Sequence, residues 1–133
     1  MESISIPYHL IVPSVIGFLG ICLLILFKKR FWTKIYQKSF WLSAIMFFAL
    51  YTIIVGWAAY EDIWLQIELN KYDLNGNLLF DGDECTNEHC KELMRKIVND
   101  IGRNLSVFTG GVKALAIALP VLLVGITTER LKK

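Results

Sequence analysis

Three long stretches of this chain carry almost no charge, and they set what it can fold into. Leu10 to Phe27 is 18 residues without a charged side chain, or 21 counted from Pro7. Phe40 to Tyr60 is 21 residues with none, and Leu105 to Ile126 is 22 residues with one, Lys113. About 20 apolar residues in a helix cross a hydrocarbon core of roughly 30 Å. A chain of 133 residues, 55% hydrophobic with a mean hydropathy of +0.49, has no room to bury three such runs in a water-soluble core. The expectation is an all-α membrane protein, one domain over residues 1–133, with spans at 8–27, 40–60 and 105–126. Trp41 at one end of the second run, with Trp57 and Tyr60 at the other, suits the two membrane interfaces.

Charge sets the expected orientation. Residues 28–38 hold Lys28, Lys29, Arg30, Lys34 and Lys38 with no acid, and the C-terminal tail adds Arg130, Lys132 and Lys133 against Glu129. Short basic segments stay on the cytoplasmic side, so both are expected there. Residues 61–104 have ten acids against five bases, a net of −5, and belong outside together with the N-terminus. The flank before the first run has no basic residue and the charges follow it, the reverse of a secretory signal, so the run reads as a retained anchor. This predicts a multi-pass protein of the cell or inner membrane with a periplasmic or extracellular 61–104 segment. Phe31, Trp32 and Tyr36 among the bases of 28–38 mark that loop as an interfacial segment facing lipid headgroups.

The 61–104 segment is the only long polar stretch. Leu65, Leu69 and Tyr72 recur at helical spacing, so the second helix is expected to continue past Tyr60 until Asp73, Asn75, Gly76 and Asn77 stop it. A further helix is expected from Thr86 as N-cap, with Cys90, Leu93, Met94, Ile97, Val98 and Ile101 as its apolar stripe. Gly102, Thr109, Gly110 and Gly111 either bend the path into the third span or serve as close-packing positions within it.

Between these two helices, the twelve residues 73–84 (DLNGNLLFDGDE) place side-chain oxygens at positions 1, 3, 5, 9 and 12: Asp73, Asn75, Asn77, Asp81 and Glu84. This spacing resembles the EF-hand calcium loop, which adds the backbone carbonyl of position 7, here Leu79. The resemblance implies an EF-hand-like helix-loop-helix that takes Ca2+, because a hard cation needs six or more oxygens at about 2.4 Å from a chain curling round it. Position 6, glycine in that family, is Leu78, and asparagine at positions 3 and 5 leaves three carboxylates, which together imply a modest affinity. The same residues also read as an Asn-Gly turn followed by an Asp-Gly turn, needing no metal.

Two of the three cysteines, Cys85 and Cys90, flank the start of the second polar helix and can meet there, as a disulfide in an oxidising compartment or as a pair of packed thiols. With His89 they make a poor zinc site, crowded and short of a fourth ligand. Lys113 is the only intramembrane charge; it either snorkels to the interface or pairs with Glu61 or Asp62. No catalytic constellation, phosphate-binding loop or nucleic-acid module stands out, so an enzyme is not expected. Two function classes remain: a calcium-stabilised or calcium-responsive membrane module, or an accessory, assembly or immunity-type protein. The second acts by binding a partner membrane protein or further copies of itself within the lipid bilayer.

Overall fold

A computed structural model of the chain describes residues 5–32, 35–74, 80 and 84–131. All regular structure among them is helical: α1 (Tyr8–Leu26), α2 (Lys28–Phe31), α3 (Ile35–Asn70), α4 (Glu88–Val98), α5 (Ile101–Asn104) and α6 (Ser106–Leu131). Three of these, α1, α3 and α6, are long and apolar enough to cross a membrane.

Aromatic and basic residues join the end of α1 and Trp32, just after α2, to the start of α3. Trp41 donates from Nε1 to the carbonyl of Leu24 (2.8 Å) and stands edge-on to Trp32, with ring centroids 6.0 Å apart. Lys28 lies 4.5 Å from the Trp32 ring centroid and Lys38 5.3 Å from it. An ammonium over an aromatic face keeps its charge partly compensated without a carboxylate.

α3 is the axis of the bundle. Both α1 and α6 pack along it and scarcely touch each other. Without a hydrophobic drive between helices in lipid, close approach of small residues supplies the dispersion contacts instead. A side-chain carbon added at Gly17 of α1 would meet Thr52 Oγ1 at 2.5 Å, and one at Gly110 of α6 would meet Ile54 at 3.1 Å. Gly110 is thus a close-packing position, whereas Gly102 lies in α5 with open space around it. Farther along, buried Ser43 donates to the carbonyl of Ala118 (2.7 Å), tying α3 to α6 by a hydrogen bond shielded from solvent. The apolar centre is Leu10, Val55, Ala58 and Ala59, where all three long helices meet.

Past that centre α3 continues without a break, as Leu65 and Leu69 required, and ends at Asn70. Two expectations are corrected. The N-cap of α4 is Asn87, whose side chain accepts from the backbone N–H of His89 (3.1 Å), and not Thr86. Both are capping types, and the residue one step later has the extended backbone a cap needs. The helix also stops at Val98, so Val98 and Ile101 leave the buried stripe and are 76% and 75% exposed.

Gly17→Val is expected to lower the thermal midpoint in detergent, since overpacking at such a contact costs about 1–3 kcal/mol. Gly102→Ala should leave it unchanged or raise it slightly, by up to about 1 kcal/mol. Equal losses in both variants would contradict the assignment of Gly17 to the α1–α3 contact.

Candidate functional site

The part of the chain that stands beyond the three-helix centre is a cap built from the last turns of α3, α4 and α5. The apolar seam is short: Leu65 and Leu69 from α3 against Cys90 and Leu93 from α4, all buried. Tyr72, Phe80, Cys85, Met94 and Ile97 pack around it. Cys85 and Cys90 lie at disulfide distance, with Cα atoms 5.5 Å apart, so the approach to α4 is pinned to its first turn beside the Asn87 cap. Joined as a disulfide, this pair would offer no thiolate to a zinc ion. Among the described residues no three of His, Cys, Asp and Glu gather as metal ligands.

A polar network closes the other end of the cap. Arg103 donates from Nε to Asp100 Oδ1 (2.6 Å) and from Nη2 to the carbonyl of Lys96 (3.1 Å), and its Nη2 lies 3.7 Å from Asp62 Oδ1. The Arg103 and Asp62 side chains are only 11% and 13% exposed. Gln66 donates to Asp62 (2.9 Å) and accepts from the backbone N–H of Ser5 (2.9 Å), while His9 meets Asn104 at 2.6 Å. α3, the end of α4, α5 and the N-terminal segment are thereby joined. An arginine shared between two carboxylates and a carbonyl satisfies several of its donors at once, which a partly buried guanidinium requires. On the exposed face of α4, Lys96 pairs with Glu92 (2.9 Å), and that hydrogen bond together with the ammonium charge lowers the Glu92 carboxyl below its usual range. The small stabilisation this gives is present above the unfolded-state pKa and is lost as pH falls through the lowered one.

Of the calcium-loop residues, Asp73 and Glu84 are described, while Asn75, Asn77, Leu79 and Asp81 lie outside the described residues, as does Leu78. Asp73 is 8% exposed directly after α3, and neither it nor Glu84 is without a partner. Tyr72 and Cys85, the residues on either side of the loop, both pack on the one apolar seam, so the loop leaves and returns at the same place. The likeness to an EF-hand is one of ligand spacing, since Cys85, Thr86 and Asn87 separate Glu84 from α4, where the motif runs from loop directly into helix. Lys113 is exposed on α6 with no ion pair among the described residues, and Asp62 is held by Arg103 instead.

Comparison with protein-family models, with curated proteins and with solved structures finds no match. The site's chemistry is therefore argued from these residues alone. Arg103 and Asp100 were not among the residues singled out from the sequence, and Asp62 was named there only as an alternative partner for Lys113. The Asp100/Arg103 spacing is a helical i,i+3 signal, but the partner 41 positions earlier leaves none.

Two outcomes are expected. Cys85 and Cys90 in protein recovered from membranes should resist alkylation until a reductant is added. Leu93→Ala should cost about 2–5 kcal/mol of cap stability, seen as faster hydrogen exchange in α4 than in α6. Uniform acceleration across the chain would mean that the cap does not open separately.

Proposed function

We propose that this chain is a small multi-pass membrane protein that displays a calcium-binding helix-loop-helix on the non-cytoplasmic face. The orientation rests on charge: the α1–α3 turn and the C-terminal tail are basic, and the cap segment has a net of −5. The observation that carries the calcium reading is the convergence of the loop's two ends on one apolar seam through Tyr72 and Cys85. Pinned ends lower the entropy lost when a loop of this length closes round an ion.

The donor set fits a hard cation: Asp73, Asn75, Asn77, Asp81 and Glu84 with the Leu79 carbonyl offer only oxygen. These residues would hold the ion, which would supply the positive charge that offsets the carboxylates of the acidic loop. The chain's own residues do the rest: Asn87 and the Cys85/Cys90 pair fix the start of α4, and Leu65, Leu69 and Leu93 hold α4 on α3. Loop order is passed in this way to α3 and, through Arg103, to the entry of α6.

A second reading, an accessory protein that acts by binding another protein, is favoured by Val98 and Ile101, large apolar side chains left uncovered at the end of the cap. The two readings differ in whether calcium matters.

Saturating Ca2+ should raise the melting temperature of the full chain, by the equivalent of about 2.7 kcal/mol at a hundredfold excess over Kd. Glu84→Gln should remove most of that rise, and Glu88→Gln, at the start of α4, should not. An unmoved wild-type melting temperature would leave the field to the second reading. For topology, Gln37→Cys should be shielded from an impermeant thiol reagent in intact cells and Gly76→Cys labelled; the reverse pattern would overturn the orientation.

A further inference from the structure

Beside the cap, α3, α4, α5 and α6 enclose a cleft of about 600 Å³. One wall runs along α3 from Ile54 through Trp57 and Ala58 to Glu61, two turns that pass from the apolar span to the polar cap. Arg95 and Lys96 of α4 form the facing wall at the polar end. The cleft is thus apolar toward the three-helix centre and charged toward the cap.

Its charges are not all used within the chain. Lys96 is held by Glu92, and Arg103 by Asp100 and Asp62. The side chains of Arg95 and Glu61, on opposite walls, form no ion pair or hydrogen bond among the described residues, although the Arg95 charge acts on the neighbouring Glu92. Ser106, the first residue of α6, also lines the cleft; it is 6% exposed, and its fully covered hydroxyl has no hydrogen-bond partner. A buried hydroxyl left unpaired costs about 1–3 kcal/mol, which a ligand oxygen would recover.

We propose that this cleft seats the headgroup of a zwitterionic phospholipid from the leaflet bordering the cap. The phosphate takes charge-assisted hydrogen bonds from Arg95 and a hydrogen bond from the Ser106 hydroxyl. The ammonium sits against Glu61, and the glycerol and first acyl carbons follow Trp57 and Ile54 toward the bilayer. An anionic headgroup without an amine fits less well, because it leaves the Glu61 carboxylate with no positive charge opposite it. The proposal does not depend on which side of the membrane the cap occupies, nor on calcium.

The test is native mass spectrometry of the full chain released from micelles holding equal amounts of phosphatidylethanolamine and phosphatidylglycerol with identical acyl chains. The wild type should retain one phosphatidylethanolamine with about a tenfold preference. Glu61→Gln should abolish the preference while binding persists, and Arg95→Gln should reduce retention of both lipids about tenfold. Ser106→Ala should weaken retention without altering the preference. Lys91→Gln, on α4 but outside the cleft, should change nothing. Equal retention of the two lipids by the wild type, or loss of retention in Lys91→Gln as large as in Arg95→Gln, overturns the proposal. Displacement of the lipid by millimolar inorganic phosphate would show a site for free anions and overturn it too. Unchanged melting temperatures in the variants separate loss of the site from loss of the fold.

Discussion

A helix of 36 residues is about 54 Å long, and a bilayer's hydrocarbon core accommodates only about 30 Å of it. α3 has that length without a break. One end of it must therefore stand in water, and the sequence shows which: Leu65 and Leu69 continue the helical stripe among Glu61, Asp62, Gln66 and Glu68. Two leucines on a bare helix in water need a cover. α4 provides it, and the cap follows from α3 being too long for the membrane.

The seam between α3 and α4 is too small to order a domain alone, with four buried residues at its centre. Two kinds of link supplement it. The Cys85/Cys90 pair closes a loop of only a few residues, so its effect on the unfolded chain is slight, and its use is local: it fixes where α4 begins. The Arg103 network acts over a longer reach, bringing together residues 5, 62, 66, 96, 100 and 103. A partly buried guanidinium between carboxylates contributes little net stability compared with apolar packing, yet it penalises every arrangement that leaves the charge unpaired. It specifies geometry more than it adds strength.

What could be read in advance divides along the same lines. The three spans were legible because uncharged length is a one-dimensional property, and the continuation of α3 because a 3.6-residue period persists through Leu65 and Leu69. The meeting of Cys85 and Cys90 was legible because helix geometry brings such positions together locally. The start of α4 was displaced by one residue, since Thr86 and Asn87 both offer a capping oxygen and only the backbone angle at Asn87 decides. Val98 and Ile101 continue the stripe in sequence, but the turn at Asn99 and Asp100 redirects the chain toward α6, and no periodicity announces that. Pairings such as Asp62 with Arg103, and the gathering of Glu61, Arg95 and Ser106 round one cleft, depend on the fold itself.

Arg103 ties these levels together. It borders the cleft, holds Asp62 of α3 and Asp100 before α5, and takes the carbonyl of Lys96 near the end of α4. Lysine offers one compact charge in place of a planar fork and could not serve three acceptors in fixed directions. Because α5 leads directly into α6, any shift of α4 on α3 changes what Arg103 can reach, and hence the position of Ser106 at the head of α6. The packing of α6 on α3 at Gly110, one turn further on, is too close to absorb such a shift by side-chain adjustment. Order in the cap and the approach of α6 to α3 are therefore two aspects of one arrangement, with the guanidinium at its hinge.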